Sequence, residues 1–110
     1  VFSGADAEKM LNVCDGAMIG RAAIGDPYIF ERILHYLKTG REKDFDLKKN
    51  LKAFNEYLLL CRKYDFKDIG RIKYVGSSFI KKFDGAAKLR SDFMQIKSFD
   101  EIKDFVKGRL

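Results

Sequence analysis

From residue 21 to the end of the chain, apolar residues recur at the spacing of helix faces, and no segment shows a strand pattern. The clearest case is a helix predicted over residues 46–64, in which apolar residues follow one another at steps of four and three. Further helices are predicted at about residues 67–83 and 86–95, and a last one opens at Ser98 with a capping box that ends at Glu101. The apolar face of the first of these helices is formed by Leu47, Leu51, Phe54, Leu58 and Cys61. The fold is therefore predicted to be mainly α, with its second half an antiparallel helical bundle.

The stretch GAMIGRAAIGDP, residues 16–27, is where the pattern differs. Its apolar start, residues 16–20, is too short for a helix and is interpreted as a buried strand. Asp26 is predicted to cap the following helix, with Pro27 at its first position and Gly40 at its end. An earlier helix is predicted over about residues 4–13, capped by Ser3. The predicted strand at residues 16–20 is expected to be poorly ordered or to pair with another chain. The predicted apolar face of the helix after Pro27 consists of Phe30, Ile33, Leu34 and Leu37.

Length and composition exclude several classes of protein. A chain of 110 residues is too short for a complete (β/α)8 barrel, and it holds no apolar run long enough to span a membrane. The N-terminus does not have the pattern of a signal peptide and lacks an initiator Met, so we expect a piece of a longer, cytoplasmic protein. Two distant cysteines, Cys14 and Cys61, and one histidine give no metal-site spacing. Both thiols are expected to be free and buried.

The charge is distributed unevenly. Residues 1–40 carry four Lys/Arg and five Asp/Glu, whereas residues 41–110 carry eighteen and eleven. A basic second half favours phosphate-bearing partners such as nucleic acid, although many basic helix faces are simply solvated. Gly20 ends the predicted strand and Arg21 follows it, at a junction suited to holding a phosphate: glycine lets backbone N–H groups approach the oxygens, and arginine adds a charged fork.

Two segments resemble the tRNA-dihydrouridine synthases. The first is AEKMLNVCDGAMIGRAAIGDPYIFERILHYLKTG, residues 7–40, which resembles the family's "xDgvMiGRaaxgnPwiF" segment and its "xxyLxtG" helix end. The second is FIKKFDGAAKLR, residues 79–90, which resembles the signature Y-x-K-G-x-P-G-A-x-x-x-R. The resemblance implies an oxidoreductase that uses FMN and NAD(P)H to reduce uridine in tRNA to 5,6-dihydrouridine. It also implies that residues 1–40 are the C-terminal end of an FMN-binding (β/α)8 barrel and that residues 41–110 are the helical tRNA-binding domain.

The resemblance also implies site residues. By motif match, Gly20 and Arg21 contact the FMN phosphate. The family's catalytic cysteine and its FMN-contacting lysine lie in earlier barrel loops, so no catalytic residue is assigned here; the segment alone is expected to be inactive and not to retain FMN. The RNA-binding candidates are the cations of residues 67–90 that lie on or beside the second motif: Arg71, Lys73, Lys81, Lys82, Lys88 and Arg90.

This chain departs from the family pattern at several positions. Lys73 stands where arginine is usual and Phe79 where tyrosine is usual, which preserves charge and aromatic bulk. Val75 replaces a histidine and Asp84 a proline. Phe79 and Phe83 are expected in the core rather than as stacking platforms. Two alternatives stay open: a stand-alone basic helical module that binds RNA or protein, and a fragment of another FMN-barrel oxidoreductase.

Overall fold

The computed structural model describes all residues from 1 to 110 and contains helices but no strand. The prediction of a mainly α fold is therefore confirmed. The chain forms two compact units, Val1–Phe45 and Asp46–Leu110. The six α-helices are α1 (Gly4–Leu11), α2 (Ile29–Thr39), α3 (Leu47–Lys63), α4 (Ile69–Ser78), α5 (Ala86–Met94) and α6 (Phe99–Lys107), and Arg21–Ala23 forms a short 3₁₀ turn.

The first unit is a pair of packed helices, α1 and α2. As predicted, Ser3 caps α1, since its hydroxyl accepts a hydrogen bond from the Asp6 N–H at 3.1 Å. Gly40 ends α2 in the left-handed conformation, with φ 72°, as predicted. The helices approach closely at Gly4, where a Cβ atom would overlap the Tyr36 side chain. The small core of this unit consists of Ala7, Ala22, Ile29 and Ile33.

The predicted buried strand at residues 16–20 is wrong. These residues belong to no regular element, and Met18 is 85% exposed. A strand needs a neighbouring extended segment to satisfy its backbone N–H and C=O groups, and this unit offers only helices and turns. Cys14, just before this segment, is exposed rather than buried.

The start and the inner face of α2 also differ from prediction. The helix begins at Ile29 after Tyr28, so Asp26 lies two residues before its N-cap. Its buried positions are Ile29 and Ile33. Within this unit α2 packs on α1 alone, so the buried stripe of α2 is narrower than the apolar face that the sequence pattern predicts. The other predicted positions are therefore largely exposed: Phe30 50%, Leu34 59% and Leu37 41%.

The second unit holds four helices, with α3 packed against α6 and α4 against α5. The predicted face of α3 is confirmed, because four of its five residues are buried and Leu47 packs against them. α4 ends at Ser78, five residues earlier than predicted, yet Phe79 and Ile80 remain buried beyond it. Ser98 caps α6 as predicted by accepting from the Glu101 N–H at 3.2 Å. The buried core is Leu51, Phe54, Leu58, Cys61, Ile72, Phe79, Ile80, Phe93, Ile102 and Val106.

Gly76 lies in the middle of α4 against an aromatic cluster. A Cβ atom there would stand 2.6 Å from Cζ of Phe54 and 2.6 Å from Cζ of Phe93. These rings pack edge to face with centroids 5.9 Å apart, and Phe79 lies 5.1 Å from Phe54. The ring tips of Phe54 and Phe93 thus occupy the space that a side chain would need at this position.

α3 ends in a Schellman motif. The Phe66 N–H donates to the Cys61 carbonyl at 2.8 Å, and the Asp65 N–H donates to the Arg62 carbonyl at 3.2 Å. The motif requires a left-handed residue, which is usually glycine, and Asp65 takes that place with φ 56°. The turn therefore uses a residue that is strained in this conformation.

Candidate functional site

The turn at Gly20 and Arg21 presents backbone donors on an open side of the first unit. It is closed by two hydrogen bonds, from the Ala23 N–H to the Gly20 carbonyl at 3.0 Å and from the Ile24 N–H to the Arg21 carbonyl at 3.1 Å. The N–H groups of Gly20, Arg21 and Ala22 take no part in these two bonds. A Cβ atom at Gly20 would meet no atom within 4 Å, and the Arg21 side chain is exposed. This donor set, backbone N–H groups beside a guanidinium, fits the phosphate of a mononucleotide.

An ion pair fixes the segment behind this turn. Arg32 on α2 donates to the carboxylate of Asp26, and their side chains are 12% and 0% exposed. The Asp26 N–H in turn donates to the Ala23 carbonyl at 3.1 Å, which ties the 3₁₀ turn to this pair. Sequence reasoning missed the pair because Asp26 before Pro27 matches a helix cap, and a spacing of six residues is not a standard helix pairing.

The six predicted RNA-binding cations lie on one helical hairpin of the second unit. Arg71 and Lys73 are on α4, Lys81 and Lys82 are in the loop that follows, and Lys88 and Arg90 are on α5. Because α4 packs against α5, the structure brings these three segments together.

Two of these cations bind the hairpin's own backbone. Lys73 Nζ donates to the Met94 carbonyl at 3.2 Å, which joins α4 to the end of α5. Arg90 Nη1 donates to the Ile80 carbonyl at 2.8 Å, which joins α5 to the loop. Each bond satisfies a carbonyl that lies near a helix end. These two side chains therefore hold the hairpin together.

Three of the remaining cations are exposed: Arg71, Lys82 and Lys88. Lys82 adopts a left-handed conformation with φ 63°. The family signature has glycine at this position, so the loop keeps a backbone conformation typical of glycine while carrying a lysine.

The phenol of Tyr57, on α3, is a weaker acid than an ordinary tyrosine side chain. Burial, together with its hydrogen bond with the Cys61 side chain, raises the pKa of Tyr57 from 10.0 to about 12, against the opposing effect of Arg71. Below pH 10 neither the folded nor the unfolded chain ionises this phenol. Above pH 10 the unfolded chain ionises it first, so stability falls as the pH rises towards 12.

The Tyr57→Phe variant should lose less thermal stability than the wild type between pH 10 and pH 12, because it has no phenol to ionise. Thermal melts followed by circular dichroism across this range would measure the difference. Tyr64→Phe is the matched control, because Tyr64 is exposed at the end of the same helix. A Tyr57→Phe curve parallel to the wild-type curve would contradict the assignment.

Other kinds of site are not supported by the side chains present. No three or more His, Cys, Asp or Glu side chains come together in a way that could hold a metal ion. None of the helices has both the length and the apolar composition needed to cross a bilayer. Cys14 and Cys61 are both free thiols, and they lie in different units.

Comparison with known proteins identifies the family. The model of the dihydrouridine synthase family matches residues 1–109. A probable tRNA-dihydrouridine synthase of Rickettsia conorii is 33% identical over 94% of this chain, which corresponds to 34% of that protein. Probable tRNA-dihydrouridine synthase 1 of Synechocystis is 31% identical over 84% of this chain and 26% of its own length. The tRNA-dihydrouridine(16) synthase of Neisseria meningitidis is 28% identical over 86% of this chain and 29% of its own length.

This chain thus spans about a third or less of the curated relatives that it matches along most of its length. The family match covers both compact units, including the Gly20–Arg21 turn and the basic hairpin. The chain belongs to the dihydrouridine synthase family.

Proposed function

We propose that this chain is the C-terminal portion of an FMN-dependent tRNA-dihydrouridine synthase, which reduces uridine to 5,6-dihydrouridine in tRNA with NAD(P)H as reductant. The observation that carries the proposal is the family match over residues 1–109, supported by relatives that are named tRNA-dihydrouridine synthases. In this proposal residues 1–40 form the end of the FMN-binding barrel, and residues 41–110 form the helical tRNA-binding domain of a cytoplasmic enzyme.

The proposed role of the first unit is to hold the FMN phosphate. The backbone N–H groups at Gly20 and Arg21 and the Arg21 guanidinium would donate to its oxygens. When bound, the flavin supplies the hydride that reduces the uracil ring. We assign no catalytic role to Cys14 or Cys61, because the resemblance places the family's catalytic cysteine in earlier barrel loops. The contribution of this chain to the chemistry is therefore to position the cofactor and the substrate.

The proposed role of the second unit is to bind the tRNA backbone. Arg71, Lys82 and Lys88 are exposed on the hairpin and would contact phosphates. Lys73 and Arg90, in contrast, are engaged with the carbonyls of Met94 and Ile80 and would act by keeping the hairpin in shape. The excess of Lys/Arg over Asp/Glu in residues 41–110 supports attraction of a polyanion.

Replacing Lys88 with glutamine should weaken tRNA binding by about twofold to fivefold and reduce the slope of log affinity against log salt by about one, because one phosphate contact is lost. Mobility-shift titrations of tRNA at several salt concentrations would measure both quantities. Lys107→Gln is the matched control, since Lys107 is an exposed lysine on α6, away from the hairpin. Binding that is absent or independent of salt in the wild-type chain would contradict the proposed function.

A further inference from the structure

A pocket of about 300 Å³ opens between the end of α3, the turn that follows it and the start of α6. All of its lining residues belong to the second unit. Two of them, Cys61 and Ile69, are apolar and wholly or partly buried. The volume is at the lower end of the range for small-ligand pockets, roughly 300–1,000 Å³, and suits one planar ring system.

Aromatic rings and an arginine give this pocket stacking surfaces. Phe66 is 42% exposed although it lines the pocket, and Phe99 lies on the α6 side. The Arg62 guanidinium stands 5.4 Å from the centre of the Phe99 ring. Unstacked nucleobases bind on such aromatic rings and on arginine guanidinium planes.

The charges that line the pocket cancel. Lys67 Nζ lies 3.2 Å from an oxygen of Asp65, and Arg62 Nη2 lies 3.6 Å from an oxygen of Asp100. Two cations matched by two carboxylates do not favour a multiply charged anion. Carboxylate oxygens can only accept hydrogen bonds, so they favour a neutral ligand with N–H donors.

Asp65 is unfavourable for the local structure that it belongs to. It takes the left-handed position of the Schellman motif, and it places a negative charge at the negative end of the α3 dipole. Glycine would serve the turn better on both counts. Such a local conflict at the rim of a pocket is typical of a residue used for binding rather than for stability.

We propose that this pocket holds one unpaired purine base of the bound RNA, with guanine preferred because its two adjacent N–H groups match a single carboxylate. The base would stack on Phe66 and on the Arg62–Phe99 pair, with Asp65 as the acceptor. Lys67, which lines the pocket and pairs with Asp65, would be free to meet a flanking phosphate once Asp65 binds the base. This proposal rests on the proposed function, because tRNA is the partner that brings the base.

The test compares two fluorescent single strands on the full 110-residue chain: a short oligouridine, and the same oligomer with one central guanosine. Fluorescence anisotropy should give about fivefold tighter binding of the strand with guanosine. Asp65→Asn and Phe66→Ala should each bring the ratio of the two affinities close to one. Asparagine tolerates the left-handed conformation, so the first variant keeps the turn folded even if Phe66→Ala loosens it.

Asp104→Asn is the matched control, since it removes an exposed carboxylate on α6 that does not line the pocket and should leave the ratio unchanged. Equal affinities for the two strands in the wild type, or a guanosine preference that survives Asp65→Asn, would overturn the pocket assignment. Either result leaves the proposed function standing as long as tRNA binds. Failure of the chain to bind both strands and tRNA would overturn the two proposals together.

Discussion

Replacing Arg32 with methionine should destabilise the unit Val1–Phe45 by about 3 kcal/mol, because it removes the cation from a fully buried carboxylate. Methionine preserves most of the packing volume, so the loss reports on charge. Hydrogen exchange followed by mass spectrometry separates the two units: amides of α2 should lose protection, and those of α3 should not. The turn at Gly20 and Arg21 should exchange faster as well, because Asp26 anchors it through Ala23.

Lys43→Met provides the matched control for this ion pair. Lys43 Nζ lies 3.2 Å from Glu31, but the two side chains are 50% and 48% exposed, so its loss should cost less than about 0.5 kcal/mol. The double variant Asp26→Leu with Arg32→Met should recover much of the stability that Arg32→Met loses, since no charge is left buried. Equal effects of Arg32→Met and Lys43→Met would mean that burial does not set the strength of these pairs.

The features that could be predicted are those whose signals are local. The steps of four and three on α3 place Leu51, Phe54 and Leu58 on one face whatever that face meets. The Ser98 cap and the Gly40 terminus depend on backbone groups within a few residues.

Features that depend on distant partners could not be predicted in this way. The apolar run at residues 16–20 was interpreted as a strand because it is too short for a helix, but strand formation is decided by a neighbouring strand. The side chain of Asp26 could cap a helix or pair with Arg32, and the tertiary structure selects the second. On α2, the exposure of Phe30 and Leu34 follows from how little of the helix α1 covers.

The residues of the candidate site show the same difference between what local sequence predicts and what tertiary contacts decide. From charge and from the second motif, the sequence offered six cations between residues 71 and 90 as RNA-binding candidates. The structure separates Lys73 and Arg90, which bind backbone carbonyls across the hairpin, from exposed Lys88. Sequence spacing cannot make that distinction, because the contacts of Lys73 and Arg90 depend on how α4, α5 and the loop between them pack. The pocket beside Phe66 was likewise invisible, since its lining comes from three separate segments.

Replacing Gly76 with alanine should destabilise the unit Asp46–Leu110 by about 1–2 kcal/mol. Alanine is the better helix former by about 1 kcal/mol, so the overpacking cost must exceed that gain. It does so because the new methyl group would meet Phe54 and Phe93, which are 1% and 0% exposed. The Phe93 ring cannot swing away freely, since Phe105 packs against it with centroids 5.3 Å apart. Urea denaturation followed by circular dichroism measures the change.

Gly70→Ala on the same helix should have the opposite sign. Its Cβ would meet only a carboxylate oxygen of Asp68 at 3.5 Å, an ordinary contact, so the gain in helix propensity should raise stability by up to about 1 kcal/mol. A double-mutant cycle with Phe93→Leu then isolates the steric conflict at Gly76, because leucine removes one of the two ring tips that the new methyl group would strike. Gly76→Ala should therefore cost less in the Phe93→Leu background than in the wild type. Additive effects would instead place the cost of Gly76→Ala in the backbone of α4, and would remove close packing as the reason for a glycine there.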